Sequence, residues 1–246
     1  MTDTQDLKRK VAIVFGGARG IGAAVARRLA KDGADVALTY VSAPQKAAET
    51  VTAIEAEGRQ GLAIPADSAD PEAIRTAVAA AVERFGRLDI VVVNAGIFRR
   101  GSVEDFPLDD LDLMLNVNVR GVFLAIQAAA PHLGQGGRIV TIGSNTAVRT
   151  SFPGSSVYSM TKAAVAVMVK GVAIDLAPRG ITVNNIQPGP TETDMTSAVV
   201  EMLKTMIPVG RVAQPREIAG LVAWLANEEA GYMTGASLTI DGGMSL

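Results

Sequence analysis

An α/β fold, with a parallel sheet covered by helices on both faces, is predicted by three observations. Short apolar runs alternate with helical patterns along the whole chain, the signature of βαβ units. Those runs are too apolar for a sheet with one wet face and suit strands covered on both sides. The length of 246 residues and hydrophobic fraction of 48% suit one large core, and no linker, low-complexity segment, charge block or internal repeat divides residues 1–246.

Strands are predicted at Val11–Phe15, Asp35–Tyr40, Gln60–Pro65, Leu88–Val93, Arg138–Ile142, Thr182–Gln187 and Ser237–Ile240, with helices between them. The first runs directly into Gly16-Gly17-Ala18-Arg19-Gly20-Ile21-Gly22 and then a helix. Glycines at 16, 20 and 22 let the loop turn tightly and admit a dinucleotide pyrophosphate, to which the helix N-terminus offers N–H groups and a favourable dipole. A glycine-rich turn without a ligand has the same composition; the strand–loop–helix setting favours cofactor binding. The second strand ends in Thr39-Tyr40-Val41-Ser42. An NAD-specific site places Asp or Glu about 20 residues after the loop, to bind the ribose hydroxyls. With no acid at Tyr40 or Ser42, and Arg19 available to face a 2′-phosphate, NADPH/NADP is expected over NADH; a solvated surface arginine is the alternative.

The third strand delivers Asp67-Ser68. Asp67 can accept a hydrogen bond from an adenine amino group, while Ser68 or Asp70 can cap the helix that opens at Pro71. The fourth ends in Asn94-Ala95-Gly96, where small residues leave room for a cofactor and Asn94 can pin neighbouring loops; a plain strand-ending turn looks the same. Asn116-Val117-Asn118-Val119-Arg120-Gly121 interrupts a helical pattern with poor helix-interior residues. This predicts either a backbone irregularity able to hold a water or a strained helix at a subunit contact. The fifth strand delivers Gly143-Ser144-Asn145, and Ser144 can donate to a carbonyl oxygen or simply end the strand. The sixth leads into Pro188-Gly189-Pro190-Thr191-Glu192-Thr193, a proline-fixed loop whose Thr191 and Thr193 can bind a carboxamide or phosphate. Met195, Met202, Met206 and Ile207 follow, as core or as an apolar lid.

Between the fifth and sixth strands lies Tyr158-Ser159-Met160-Thr161-Lys162. Tyrosine and lysine at this spacing share one helix face. A neighbouring ammonium favours the phenolate and lowers the tyrosine pKa, making Tyr158 a general acid or base near neutral pH. Alone, the pair is equally an exposed one on an ordinary helix; Ser144, fourteen residues upstream, supplies the context.

Composition removes other chemistries. With no cysteine, disulfides, thiolate nucleophiles and zinc–thiolate sites are excluded, and the single His132, solvated in the turn-like Pro131–Gly137 stretch, builds neither a metal site nor a Ser-His-Asp triad unaided. No ligand cluster for a metal is present. Net charge is −2, with no general pull towards nucleic acid or anionic membrane. Met1 to Lys10 lacks the apolar core of a signal peptide, and Ala163 to Leu176, broken by Lys170 and Asp175, is too short and charged to span a bilayer. A cytoplasmic protein without membrane or nucleic-acid partners is expected.

Together these residues resemble the short-chain dehydrogenase/reductase family over nearly the whole chain. The glycine loop, Asn94-Ala95-Gly96, Asn118, Ser144, Tyr158, Lys162 and Pro188-Gly189 stand in the family's order and close to its spacings. The resemblance implies a single Rossmann domain with a doubly wound parallel sheet of about seven strands. It implies that Tyr158 donates a proton to a carbonyl, that Ser144 polarises that carbonyl, and that Lys162 holds the nicotinamide ribose and lowers the tyrosine pKa. Asn118 would anchor a water that relays protons through Lys162. Many members are homotetramers that pair the helices containing Asn118 and Tyr158 and bring together their final strands, and Ser237–Gly243 looks like such a strand. Two positions depart from the pattern: Phe15 stands where Thr is common, and Val93 where Asn is common. An apolar contact between them is expected to replace polar tethering of the two loops.

The chain is also similar to the family's 3-oxoacyl-thioester reductases. Those acting on acyl carrier protein use basic residues near the site mouth; Arg179 matches one position, but Gln135 stands at the other. With a net charge of −2 as well, the expected substrate is a free ketone or aldehyde of modest size, apolar to suit Phe98, Phe152 and the Met-rich stretch, and reduced reversibly to an alcohol. Arg99 and Arg100 suit an anionic substrate or are surface charge. A thioester reductase, and a nucleotide-binding regulatory module on the same scaffold, are the alternatives.

Overall fold

The computed structural model describes residues 7–150 and 152–246, so the expectation for the polar N-terminal stretch lies mostly outside the described residues. Seven strands form one sheet: β1 (Val11–Phe15), β2 (Asp35–Tyr40), β3 (Gly61–Pro65), β4 (Leu88–Val93), β5 (Leu133–Ile142), β6 (Thr182–Pro188) and β7 (Ser237–Ile240). Their order is β3-β2-β1-β4-β5-β6-β7 and every neighbouring pair is parallel. The chain starts mid-sheet, builds outwards to β3, then returns beside β1 with β4. That reversal opens a crevice at the carboxyl ends of β1 and β4.

The helices are α1 (Gly20–Lys31), α2 (Pro44–Ala56), α3 (Pro71–Phe85), α4 (Leu108–Leu115), α5 (Gly121–Ala129), α6 (Ser156–Leu176), α7 (Val200–Lys204) and α8 (Pro215–Ala226). Successive strand residues serve opposite cores. Val14, Leu38, Val92 and Ile186 meet Val25, Leu29, Ile54 and Val222 of α1, α2 and α8. Ile13, Val91, Ile139 and Val183 meet Ile74, Val78, Ile126 and Val169 of α3, α5 and α6. Alternating side chains with a core on each face require strands that are apolar throughout. Phe15 and Val93 are register partners on β1 and β4 and belong to the same buried cluster, so the expected apolar contact forms. It does not replace polar tethering of the two loops, because Asn94 Nδ2 still donates to the Gly16 carbonyl at 2.8 Å.

Three sequence expectations need adjustment. The fifth strand starts at Leu133 rather than Arg138, because buried Leu133 pairs with Leu88 while the residues before Arg138 bulge before pairing resumes at Ile90. His132 just before it is exposed, as expected. The cap of α3 is Asp70, which accepts from Glu72 N at 2.8 Å, and not Ser68, which is buried. The apolar run Ala163–Leu176 is part of a longer helical stretch, Ser156–Arg179, which together with Leu108–His132 is long and apolar enough by length and composition to cross a membrane. Both stretches lay a buried stripe on the sheet.

The irregularity expected at Asn116 is a π-helical turn, Asn116–Arg120, between α4 and α5. Such bulges widen the helix and re-aim side chains. Gly121 follows because a Cβ there would stand 2.2 Å from the Ser68 carbonyl oxygen.

Candidate active site

The glycine loop is held from two sides. Thr39 on β2 accepts Gly16 N at its hydroxyl and Gly17 N at its carbonyl, each at 3.0 Å. Asn94 Nδ2 donates to the Gly16 carbonyl at 2.8 Å, so Asn94 pins the loop as expected. Gly16 and Gly20 have φ of +73° and +54°, the left-handed region that glycine tolerates. A Cβ on Gly22 would lie 2.1 Å from Gly16 O, and one on Gly16 would lie 2.9 Å from Ala95 Cα. The backbone is therefore bare where α1 begins, and this crevice fits the pyrophosphate of a dinucleotide. Ala18 is buried and Ile21 packs on the first core, so both shape the loop from behind.

Around it, Tyr40 is half-buried, Ser42 is exposed, and the exposed Asp67 turns its carboxylate onto Ala69 N at 2.8 Å. Arg19 is not simply solvated: its Nη1 donates to Asp194 Oδ2 at 3.3 Å, and Lys46 Nζ reaches the same oxygen at 3.1 Å. Thr193 lies over Gly20, its methyl 3.1 Å from where a Cβ would stand. Thr191 is buried and its hydroxyl donates to Gly189 O at 3.1 Å, which leaves Thr193 as the threonine facing the loop. Gly189 sits so close to Asp241 that a Cβ would be 2.6 Å from the aspartate Cβ. Its neighbour Pro188 ends β6 and is also buried.

Beside this crevice Asn118, Ser144, Tyr158 and Lys162 converge. Lys162 is buried, its Nζ donates to Ile142 O at 3.0 Å, and it stands 5.7 Å from the Tyr158 ring centroid. A Cβ on Gly96 would lie 3.3 Å from that ammonium and 3.4 Å from Asn118 Oδ1, so the Asn94-Ala95-Gly96 turn threads between them. Asn118, fully buried, accepts from Ile97 N and donates to Ile97 O, both at 2.9 Å, and donates to Thr161 Oγ1 at 3.3 Å. Thr161 in turn donates to Tyr158 O at 2.7 Å, so the π-turn and the tyrosine helix are joined through one amide. Ser144 accepts from Thr146 N at 3.2 Å and Thr146 Oγ1 at 3.0 Å. The Ser144 hydroxyl also lies near enough to the Tyr158 phenol to favour its ionised form. Phe98 meets the Tyr158 ring edge-on, with centroids 4.9 Å apart and planes at 83°.

The electrostatics correct a sequence expectation. Burial pushes the Tyr158 phenol up to about 12, and the Ser144 hydrogen bond opposes this only in part. Burial pushes Lys162 down to about 8. The lysine does not make the tyrosine more acidic here, because desolvation penalises both charged forms and the ammonium is aimed at Ile142 O rather than at the phenol oxygen.

A satellite cluster of Leu203, Ile207, Val212 and Met244, with Phe152 and Val200 against it, forms a cap beside the site. Of the four candidate lid residues only Ile207 is buried there; Met195, Met202 and Met206 are exposed. Arg99 pairs with Asp110 at 3.3 Å, and Arg100 donates to Pro153 O at 2.9 Å. Arg179 donates to Ala130 O and Leu133 O, and Gly136 N donates to Gly180 O. Arg179 and Gln135 therefore lie together at the amino ends of β5 and β6, across the sheet from Tyr158 and not at the site mouth, because parallel strands place the end of α6 at that edge. Sequence reasoning missed Thr39, Thr146 and Lys46 as site residues. It also missed Thr161, although its place three residues after Tyr158 on the same helix was a signal that could have found it.

Comparison with known proteins agrees with this geometry. A family model described as Enoyl-(Acyl carrier protein) reductase matches residues 16–245. A short-chain dehydrogenase/reductase from Serratia marcescens is 52% identical, with a TM-score of 0.96 over 98% of this chain and 100% of its own. A short chain dehydrogenase from Burkholderia cenocepacia in complex with NADP is 50% identical, again with a TM-score of 0.96 over 98% of this chain and 100% of its own. The cyclic-di-GMP-binding biofilm dispersal mediator protein of Escherichia coli is 41% identical over 95% of this chain and 96% of its own. With the seven-stranded parallel sheet, the glycine crevice and these full-length matches, the chain belongs to the short-chain dehydrogenase/reductase family of oxidoreductases.

Proposed function

We propose that this protein is an NADPH-dependent carbonyl reductase acting on a small apolar ketone or aldehyde, reversibly, with Tyr158 as proton donor. The observation that carries the reading is the meeting of Ser144, Tyr158 and buried Lys162 beside the glycine crevice. When bound, NADPH supplies the hydride that reduces the carbonyl carbon. Ser144, oriented by Thr146, donates a hydrogen bond to the carbonyl oxygen, and Tyr158 hands that oxygen its proton. A phenol held near 12 keeps its proton at neutral pH, as a donor must. Lys162 binds the ribose beside the tyrosine, and Asn118 fixes the distance between the π-turn and the tyrosine helix through Ile97 and Thr161.

NADPH over NADH is supported by Arg19 at the loop and by the lack of an acid at Tyr40 or Ser42; the Burkholderia relative is itself an NADP complex. An apolar substrate is supported by Phe98 against Tyr158, and by Phe152 and Val200 on the cap, while Arg99 and Arg100 already have partners. A homotetramer is supported by exposed Met160, Val167 and Ile174 on α6, by exposed Phe123 on α5, and by β7, which among the described residues pairs on one side only. The name of the E. coli relative favours a second reading, a nucleotide-binding regulatory module.

NADPH consumption over a carbonyl panel that includes an acetoacetyl thioester separates these readings. Wild type should turn over small apolar carbonyls and Tyr158→Phe should lose about 10²-fold or more. Identical traces from both proteins would favour the binding module, and much better thioester turnover would overturn the substrate ranking.

A further inference from the structure

Two cations from different elements converge on one oxygen at the glycine loop. Arg19 at the start of α1 and Lys46 in the first turn of α2 reach Asp194 Oδ2 at 3.3 and 3.1 Å. The position of Lys46 is built in. Thr50, one turn further on, is fully buried, and its hydroxyl contacts Lys46 O at 3.0 Å and Ala18 O at 3.5 Å. The face of α2 that carries Lys46 is thus seated on the glycine loop. Asp194 is also anchored: it follows Thr193, which packs on Gly20, and its segment is tied by Ser197 N donating to Thr193 O at 3.1 Å. The end of β2 contributes no carboxylate, so this cap-segment residue brings the negative charge between the two cations. Two cations around one oxyanion oxygen, beside a helix N-terminus, form an environment that suits a phosphate.

We propose that Lys46 is a second ligand for the cofactor's 2′-phosphate, beside Arg19, and that Asp194 is a built-in competitor which that phosphate must displace. Asp194 thereby sets how strongly NADPH is preferred over NADH. The inference rests on the NADPH reading above. NADH has only a ribose hydroxyl at this position and leaves the carboxylate where it stands. The phosphate dianion cannot share the pocket with it, because like charges within a few ångström repel. Asp194 and both cations are about half exposed or more, so the competition is modest: exposed pairs of this kind are individually weak, which translates to a roughly 3- to 10-fold effect on affinity.

The test is direct binding, by fluorescence titration of NADPH and NADH at fixed ionic strength, with wild type, Asp194→Asn, Lys46→Gln and the double variant. Asp194→Asn should tighten NADPH by roughly 3- to 10-fold and leave NADH within about twofold. Lys46→Gln should weaken NADPH by a similar factor and leave NADH unchanged, and the double variant should show non-additive effects, because one network is being cut twice. Unchanged NADPH affinity in Asp194→Asn, or weaker NADH binding that marks the carboxylate as a ribose ligand, overturns the inference while wild-type NADPH preference still stands. A wild type that binds NADH as tightly as NADPH overturns the reading of Arg19 and this inference with it.

Discussion

Tyr158 keeps its proton because the protein around it disfavours the charged phenolate, and the buried Lys162 is close to losing one because the same desolvation disfavours its ammonium. The pair therefore has a pH signature. Lys162 carries its charge below about 8 and loses it as pH rises through that value, while the phenol stays protonated until about 12. Reduction should hold through neutral pH and decline above about 8, whereas alcohol oxidation, which needs an ionised phenol, should keep rising in alkali. A pH profile of kcat/KM in both directions checks this; a reductive limb that ignores the lysine's titration would remove its charge from the mechanism. Gly22 makes an independent prediction at the same scale. Gly22→Ala drives a methyl to 2.1 Å from Gly16 O and 2.6 Å from Asn94 Nδ2, so the loop must move and the Asn94 tether must break. The expected cost is about 2 kcal/mol or more in a denaturant melt, with at least about tenfold weaker NADPH binding.

The element with most at stake is the π-turn Asn116–Arg120. Its amide at Asn118 satisfies both backbone groups of Ile97 and bonds Thr161 in a fully buried setting. Asn118→Ala leaves those backbone groups without partners, so stability should fall by about 2–4 kcal/mol, and activity should fall with it as α6 loosens. Urea unfolding and steady-state rates measure the two effects; a loss of activity with unchanged stability would instead mark Asn118 as acting directly on the proton path. The irregularity itself was legible in the sequence, because asparagines and a glycine are poor inside a helix. Its partner was not: Ile97 takes part through its backbone, and a backbone contact leaves no trace in side-chain identity.

At the scale of the whole molecule, α6 presents an unfinished surface. Met160, Val167 and Ile174 recur every seven residues and are 47%, 67% and 75% exposed, which forms one apolar stripe along the helix. Stripes of this kind mark interfaces. The double variant Val167→Glu/Ile174→Lys should reduce the proposed homotetramer to a smaller species in light scattering while the isolated fold, which buries neither side chain, remains intact. A tetramer that survives the double variant would exclude this face as an interface. The same helix carries Tyr158 and Lys162 on its inner side, so activity should fall if assembly steadies it.

By itself the sequence determined the order of strands and helices, the bare loop at the end of β1 and the chemical groups beside it. Those properties are local: side-chain alternation, glycine freedom and helix spacing act within a few residues of chain. Only the tertiary structure decided that the tyrosine is less acidic than its neighbouring lysine suggested, that Arg179 faces the opposite edge of the sheet, and that Arg19 meets a carboxylate 175 positions further along. Desolvation, strand direction and long-range charge pairing exist only once the chain has closed on itself, so no short stretch of residues can encode them alone.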